Sequence, residues 1–398
     1  MSNPIRIGIA GLGTVGAGLI KIIQKNSNIL EARAGKPIKI IAVSALSKSK
    51  DRGVDLTAYE WEDDPVALAK RDDIDVFVEL IGGESGQAKK ATEEAIKHGK
   101  HVVTANKAML AIHGQELANA AENSGVNLRF EAAVAGGIPV IKTLTESLAG
   151  NNITRIMGVM NGTCNYILTR MEDTGLAYEE IFEEANQLGF LEADPNLDVG
   201  GIDAAHKLVL LSSIAYGTQV DFNGAILEGI GRITIEDIKA ASEMGYRIKL
   251  LGVSSLSDSG LSQTMRPCLV PLTSPLAQLN GGTNMIIIEG DAVGQIVLRG
   301  AGAGEGPTAS AVIADILDIA RGINIPVFGQ PANSLIKVPA ISTSVENSFY
   351  LRLNLKDEAG ILAKVSAALA NAGISIDRIR QEGHEKDAAP VIIVTHPT

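Results

Sequence analysis

The chain has 398 residues, enough for two or three domains, and its 45% hydrophobic and 20% charged residues are typical of a globular protein. A formal net charge of −11 argues against nucleic-acid binding, because phosphate recognition needs a basic surface. The sequence shows no signal-peptide pattern and no apolar run of membrane-spanning length, and its two cysteines, Cys164 and Cys268, indicate neither a disulfide framework nor a zinc site. We therefore expect a cytoplasmic protein that does not bind membranes.

Apolar runs and helical stretches alternate along the first third of the chain. The runs lie at 5–10, 38–46, 75–83, 101–106 and 127–139, the last ending in a Gly-Gly-Ile-Pro turn. Such alternation predicts βαβ units. We therefore expect an α/β domain with a parallel sheet over residues 1–135.

Gly11-Leu-Gly13-Thr-Val-Gly16 lies between the first predicted strand and the first helix. Small residues at such a turn let the backbone approach a pyrophosphate, which accepts hydrogen bonds from amides at the helix N-terminus. A tight turn without a ligand could use the same glycines. The strand–turn–helix context favours a dinucleotide site of the Rossmann type.

The end of the second predicted strand bears on the choice between NAD and NADP. An acid there usually holds the ribose hydroxyls of NAD, but this segment has no acid before Asp51. Lys48 and Lys50 could instead pair with the 2′-phosphate of NADP, or they could be solvated loop charges. The segment slightly favours NADP.

The middle and the end of the chain predict two further units. Helices expected at 163–172, 178–187 and 203–216 are followed by strand-like stretches, which predicts an α+β substrate and dimerisation domain over 136–340. Residues 346–398 read as strand, helix, strand, loop and strand, and resemble an ACT domain with a ferredoxin-like plan. The second helix and fourth strand of that plan are absent before Thr398, so we expect a partial regulatory domain.

Acids and lysines cluster at two places. Lys107 follows a strand of the parallel sheet, where ligands usually bind. The run 189–207 carries Glu192, Asp203 and Lys207 among its charges, and Asp203 and Lys207 share a helix face because they are four residues apart. A surface ion pair would have the same spacing, but the glycines and proline before the helix favour a loop that surrounds an amino-bearing substrate.

A polar turn precedes the helix expected at 163–172. Asn161 or Thr163 could cap that helix, and both are candidate substrate contacts. Cys164 has no histidine near it in sequence, so nothing marks it as an activated nucleophile. The glycine-rich segment 300–310 opens another helix and either returns to the cofactor or only turns.

These motifs, in this order and spacing, resemble homoserine dehydrogenase over the whole chain. The resemblance rests on the segments GLGTVG, TANK, NGTCNYIL, the 189–207 run and GAGEGPTAS. The resemblance implies that Lys207 is the proton donor, that Glu192 and Asp203 bind substrate, and that Lys107 lies between cofactor and substrate. It implies cofactor contacts at Thr14, Val15, Gly189 and Gly304. It also implies a monovalent cation, suited to sodium, held by oxygens of Glu131, Val134, Gly136 and Ile138.

The resemblance implies reduction of L-aspartate 4-semialdehyde to L-homoserine by NADPH or NADH, on the pathway to threonine and methionine, by a homodimer that threonine regulates. Two departures bear on this. The second-strand segment lacks the arginine of many NADP-preferring members, and the ACT-like end is unfinished. Two alternatives stay open: an aspartate-semialdehyde dehydrogenase, which needs a cysteine nucleophile and a phosphate site, and an amino-acid sensor with a vestigial nucleotide domain.

Overall fold

The structure, a computed structural model, describes residues 3–191, 194–342, 346–381 and 388–398. Within these ranges no helix is long and apolar enough to cross a membrane. The described residues build three sheets: one entirely parallel, one mixed and one antiparallel. This arrangement confirms the predicted α/β domain, the α+β domain and the ACT-like end.

The parallel sheet has six strands in the order β3-β2-β1-β4-β5-β6. Its elements are β1 (Ile5–Ala10), α1 (Thr14–Ala34), β2 (Ile38–Ser44), β3 (Glu60–Glu62), α2 (Pro65–Lys70), β4 (Val76–Glu79), α3 (Gln87–Lys97), β5 (His101–Thr104), α4 (Lys107–Asn123) and β6 (Leu128–Arg129). That order is the one of dinucleotide-binding sheets, which place ligands at the carboxyl ends of the strands on either side of β1. The apolar runs form its strands because both faces are covered by helices.

The mixed sheet has the order β12-β11-β7-β9-β10-β13, with β8 paired to β10. The elements of this middle region are α5 (Val140–Lys142), β7 (Ile153–Val159), α6 (Gly162–Thr174), α7 (Tyr178–Gln187), α8 (Pro195–Val199), α9 (Ile202–Tyr216), β8 (Ile226–Leu227), α10 (Ile235–Glu243), β9 (Tyr246–Ser257), β10 (Gly260–Pro271), β11 (Thr283–Gly290), β12 (Gly294–Ala301), α11 (Glu305–Arg321) and β13 (Ala340–Ile341). The buried side chains of α6 and α9 share one core with Ile286 and Ile288 of β11.

Helix α11 leaves the mixed sheet and returns to the parallel one. Its residues Val312 and Ile316 share a core cluster with Ile9 of β1 and Leu19 of α1. At Gly18 a Cβ atom would lie 2.6 Å from the side chain of Glu305, so the two helices approach closely at their beginnings. A segment from far along the chain thus completes the helical layer beside the glycine motif.

The C-terminal sheet has the order β14-β16-β15 and is formed by β14 (Tyr350–Lys356), α12 (Ile361–Asn371), β15 (Ile376–Gln381) and β16 (Ala388–Thr395). It contacts α10 through polar side chains. Tyr350 and Arg352 both donate to the carboxylate of Asp237, at 2.6 and 2.5 Å. The ACT-like sheet is therefore attached to the middle region by hydrogen bonds and an ion pair.

One expected strand is mostly replaced by other structure. In 127–139 only Leu128–Arg129 are strand, and Glu131–Ala133 form a 3-10 turn. Ala135 and Gly136 follow with φ of 57° and 56°, left-handed values that end any extended run. The prediction of a strand here was wrong over most of its length, because the apolar residues are buried in a tight loop.

Candidate active site

The glycine motif forms the turn between β1 and α1. At Gly11, whose φ is 98°, a Cβ atom would lie 2.3 Å from the Leu80 carbonyl oxygen, and at Gly16 it would lie 2.1 Å from the Gly11 oxygen. Gly13, in contrast, has nothing within 4 Å of a Cβ position. Gly11 and Gly16 are therefore required by packing, whereas Gly13 leaves open space beside the helix start.

Helix α1 begins at Thr14 and Val15 without a side-chain cap and without an acid in its first turn. The first amides of a helix lack partners within it, and together with the helix dipole they attract an anion. The open position at Gly13 and these amides fit a pyrophosphate. The turn thus has the geometry of a dinucleotide site.

The second glycine-rich segment reaches the same place. Gly304, with φ of 120°, precedes α11, and the next residue, Glu305, pairs with Lys21 of α1 at 2.6 Å. Gly304 therefore lies near the first turns of α1. Gly189 follows α7 beside Phe190, which stacks on Tyr166 of α6 at 4.4 Å. The cofactor contacts of Gly189 and Gly304 stay predictions.

An arginine that the sequence analysis did not single out reaches the glycine turn. Arg52 Nε donates to the Leu12 carbonyl at 3.1 Å, and Nη1 donates to the Lys50 carbonyl at 2.7 Å. Its guanidinium carbon lies 5.7 Å from the centre of the Trp61 ring, and Lys48 Nζ lies 6.0 Å from it. The only sequence signal was the spacing of Lys48, Lys50 and Arg52 at every second position.

Lys107 is positioned by a buried network at the carboxyl ends of β4 and β5. Glu79 accepts hydrogen bonds from the amides of Ile81 and Gly82 at 2.7 and 3.0 Å, and from the Thr104 hydroxyl at 2.5 Å. Asn106 caps α4 by accepting from the Met109 amide at 3.1 Å. Lys107 is consequently the first residue of α4 and faces the end of the sheet.

Asp203 joins both lysines. Its Oδ2 accepts from Lys207 Nζ at 2.7 Å, and its Oδ1 lies 2.9 Å from Lys107 Nζ. Lys207 also donates to the Met160 carbonyl at 2.9 Å. Asp203 and Lys207 are only 6% and 8% exposed, so their pair is buried and is not the solvated surface pair that the spacing also allowed. The structure thus brings Lys107, Asp203 and Lys207 together.

The asparagine of the polar turn joins this group. Asn161 caps α6 through the Cys164 amide at 2.8 Å, and its Nδ2 donates to Asp198 and Asp203 at 2.8 and 3.2 Å. The Thr163 hydroxyl donates to the Phe190 carbonyl at 2.9 Å. Glu192 lies outside the described residues.

A cleft of about 480 Å³ lies between the carboxyl end of the parallel sheet and helices α8 and α9. Residues of the parallel-sheet loops line one side, and Leu197, Asp203 and His206 line the other, with Lys107 between them. A volume of this size accommodates a small substrate with part of a cofactor. Asp203 and Lys107 therefore face a space that a ligand can enter.

Burial and charge set the ionisation of this site. Burial disfavours the Asp203 carboxylate, but Lys207 and Lys107 outweigh it and hold its pKa well below the usual range. Burial lowers the pKa of His206, so its imidazole is neutral at pH 7. Burial raises the pKa of Cys164, whose thiol donates to the Asp198 carbonyl at 3.2 Å. Asp203 is therefore an anion, and Cys164 is a poor nucleophile.

The expected cation loop is buried beside these elements. Glu131 accepts hydrogen bonds from the amides of Ile141 and Lys142 at 2.9 and 2.8 Å. Burial and the nearby Asp315 raise the pKa of Glu131 to about 8. A positive charge nearby would stabilise the ionised form of such a buried carboxyl group.

The remaining candidate ligands of that loop are backbone carbonyls. Val134, Gly136 and Ile138 are all buried, and the Ile138 carbonyl also accepts from the Val140 amide at 2.8 Å. Carbonyl and carboxylate oxygens are the donors that hard cations prefer. The residues present fit such a cation.

Comparisons with known proteins agree with this architecture. Residues 11–131 match the family described as homoserine dehydrogenase, NAD binding domain; residues 139–317 match homoserine dehydrogenase; and residues 349–398 match the ACT domain. The homoserine dehydrogenase of Neisseria gonorrhoeae is 43% identical over 404 residues, covering 100% of this chain and 92% of that protein. That of Bacillus subtilis is 38% identical, covering 99% and 92%.

Solved structures give the same result. A homoserine dehydrogenase from Thiobacillus denitrificans superposes with a TM-score of 0.94 at 40% identity, covering 100% of this chain and 92% of that one. A hyperthermophilic archaeal homoserine dehydrogenase in complex with NADPH gives 0.68 at 27% identity, covering 81% and 99%. The chain therefore belongs to the homoserine dehydrogenase family, whose NAD(P)-dependent oxidoreductases interconvert L-aspartate 4-semialdehyde and L-homoserine.

Proposed function

We propose that Lys207 protonates the aldehyde oxygen during reduction of L-aspartate 4-semialdehyde, with Lys107 stabilising the negative charge that develops there. The observation that carries this proposal is the Asp203 carboxylate, which bridges both ammonium groups at 2.7 and 2.9 Å at the wall of the cleft. When bound, the reduced nicotinamide supplies the hydride. The chain's own groups orient the substrate and supply the proton.

The hydrogen bonds of Lys207 support its role as the acid. An ammonium group has three N–H bonds, and Asp203 and the Met160 carbonyl accept two of them. No other described residue accepts the third, which we assign to the substrate oxygen. Asp203 itself is a poor proton donor, because both lysines hold its pKa well below the usual range. Asp203 therefore positions the lysines and does not exchange the proton.

Replacing Lys207 with Met tests this role while keeping most of the buried stem. We expect kcat for homoserine oxidation to fall about a thousandfold, since general acid–base groups contribute factors of roughly 10² to 10⁴, with cofactor binding nearly unchanged. Lys100→Met is a matched control, because Lys100 is 9% exposed and precedes β5 at the opposite end of the sheet. Near-normal turnover of Lys207→Met would disprove the assignment.

The reaction with a cysteine nucleophile is not supported. Cys164 is fully buried, its thiol donates to a backbone carbonyl, and burial raises its pKa. We expect Cys164→Ser to retain most of the homoserine-dependent reduction of the cofactor. Loss of that activity in folded protein would support Cys164 as a nucleophile, and with it the acyl-phosphate reaction of an aspartate-semialdehyde dehydrogenase.

The basic group at the end of β2 supports a preference for NADP. Lys48, Arg52 and the Trp61 ring lie together beside the Gly11–Gly16 turn, where the adenosine end of a dinucleotide binds. We expect Arg52→Ala to raise the KM for NADPH about tenfold and the KM for NADH much less. Lys39→Ala, an exposed change in the first half of β2, is the control. Equal effects on both cofactors would contradict a 2′-phosphate contact.

A monovalent cation at the loop of Glu131, Val134, Gly136 and Ile138 is also part of the proposal. The buried carboxyl group and carbonyls support a hard ion such as sodium. We expect activity to rise when sodium chloride replaces choline chloride at equal ionic strength. Identical rates in the two salts would argue against a functional ion.

The second face of the mixed sheet supports a homodimer. Val297, Ile287, Met157 and Val253 form an apolar row across four neighbouring strands. Val297 is 43% exposed and Met157 and Val253 are half-buried, whereas Ile287 is only 2% exposed. Such a face is typical of a subunit interface. Val297→Lys should shift sedimentation of the protein towards the monomer.

The ACT-like end supports threonine as an effector. We expect threonine, and not serine, to lower the rate of the full chain. A rate that is insensitive to both amino acids would leave this module without a regulatory role.

A further inference from the structure

The carbonyl oxygen of Met160 accepts hydrogen bonds from two side chains that are distant in sequence. Lys207 Nζ donates to it at 2.9 Å and Asn284 Nδ2 at 3.1 Å. The next residue, Asn161, donates from its side chain to Asp203 at 3.2 Å. Met160 and Asn161 therefore contact both members of the Lys207–Asp203 pair, Met160 through its carbonyl oxygen and Asn161 through its side-chain amide.

Asn284 is an unusual residue for its surroundings. It lies in β11 opposite Gly300 of β12 and is only 1% exposed. Its Oδ1 atom is buried and has no hydrogen-bond partner among the described residues. A buried amide oxygen without a partner destabilises a fold, and leucine has nearly the same shape without that cost. The amide is therefore best explained by its bond to the Met160 carbonyl.

Two glycines make room for this amide. At Gly302 a Cβ atom would lie 2.1 Å from Asn284 Nδ2, so the asparagine occupies the space of the missing side chain. At Gly136 a Cβ atom would lie 2.5 Å from the Gly302 carbonyl oxygen. The side chain of Asn284 is thus held by close backbone contacts and has little freedom to turn away from Met160.

We propose that Asn284 is a positioning residue for Lys207, acting through the Met160 carbonyl. Because that oxygen has two lone pairs, the amide takes one and leaves the other directed at the ammonium group. This proposal rests on the proposed role of Lys207 as proton donor. It adds a residue from β11, in the mixed sheet, to a site otherwise built from α4, α6 and α9.

The pH dependence of kcat reports such a role. A hydrogen bond from an ammonium group to a carbonyl oxygen favours the charged form of the donor, and a misdirected carbonyl removes that preference. In the reductive direction the acid must be protonated, and the alkaline limb of the kcat profile would move to lower pH. Among the described residues, the titratable groups around Lys207 include Asp203, His206, Lys107, Glu84, Asp198 and Cys164. Within the described residues, Asn284 donates to the Met160 carbonyl and to none of these groups.

The test compares Asn284→Leu with Asn165→Leu in the full chain. Asn165 is also 1% exposed, but its amide donates to the Leu279 and Gly281 carbonyls at 3.2 and 2.7 Å, away from Lys207. We expect Asn284→Leu to lower kcat about tenfold, with KM for both substrates within about twofold and the alkaline limb shifted to lower pH. Asn165→Leu should lower the unfolding midpoint and leave the alkaline limb in place.

Asn284→Ala serves as a second variant, because alanine fits even if leucine packs poorly against Gly302. An alkaline-limb shift in either variant supports the proposal. The proposal would be overturned if both Asn284 variants had the same kcat and the same pH profile as the active wild type. Near-normal turnover of Lys207→Met would instead contradict the proposed role of Lys207, so the two failures are distinguishable.

Discussion

Two buried aspartates, Asp203 of α9 and Asp237 of α10, occupy similar positions in their helices but have different roles. Each lies in the first turn of its helix, each is at most 6% exposed, and each binds a cationic side chain from another element. Asp203 binds Lys107 and Lys207. Asp237 binds Tyr350 and Arg352 of the C-terminal sheet.

The two carboxylates differ in whether they cap the start of their own helix. Asp237 forms a capping box with Thr234, whose amide donates to it at 2.9 Å. The N-cap of α9 is Gly201, which has no side chain, and Asp203 lines the open cleft. A carboxylate that completes its helix and is covered by another module stabilises structure. One that holds two cations at the wall of a cleft is available to order them around a substrate.

Asp203→Asn should produce the largest difference between the two sites. The change keeps the shape but removes the charge that orders both lysines, and it leaves two ammonium groups close together. We expect kcat to fall by a factor of about 10² to 10³, whereas Asp237→Asn should lower it less than about threefold. Steady-state rates of cofactor reduction check this. Similar losses in both variants would mean that the two carboxylates do not differ as described.

The sequence predicted the surroundings of Asp203 better than those of Asp237. The i,i+4 spacing placed Asp203 and Lys207 on one face, and the rule for parallel sheets placed Lys107 nearby. Nothing local indicated that Arg52 folds back to Leu12, that Asn284 reaches the Met160 carbonyl, or that Arg352 contacts Asp237, because these partners are 40, 124 and 115 residues apart. Such contacts depend on how elements that are distant in sequence pack together, and a local sequence pattern does not predict this packing.

Asp237→Asn should affect stability more than activity. Its carboxylate is almost fully buried, but Arg352 is 36% exposed, so the pair is partly screened. We expect the free energy of unfolding to fall by about 2 kcal/mol, with earlier proteolytic release of the C-terminal module. Glu243→Gln is the control, because Glu243 pairs with Arg380 at 2.6 Å but is 61% exposed. Equal destabilisation by both changes would show that burial of Asp237 contributes nothing.

The low pKa of Asp203 predicts a pH dependence of stability. An acid whose pKa is depressed on folding stabilises the protein fully above its unfolded value of about 3.9, and this stabilisation is lost as pH falls towards the folded pKa. The difference in unfolding free energy between wild type and Asp203→Asn should therefore be constant from pH 7 to pH 5. It should narrow by about 1 kcal/mol at pH 3. Urea titrations at the two ends test this, and a difference that does not change with pH would contradict it.

The smallest effect is expected from Arg352→Lys. Arg352 Nη1 donates to Asp237 at 2.5 Å and to the Thr234 hydroxyl at 2.8 Å, and Nη2 donates to the Arg232 carbonyl at 3.3 Å. A lysine would keep the charge but lose the planar fork that reaches these acceptors together. We expect a loss of about 0.5 kcal/mol in unfolding free energy and an unchanged kcat. The equivalent exchange at the other aspartate, Lys107→Arg, should lower kcat strongly, because a site that stabilises a developing charge depends on the position of its ammonium group. Comparable behaviour of the two exchanges would show that charge alone, and not geometry, defines the Asp203 site.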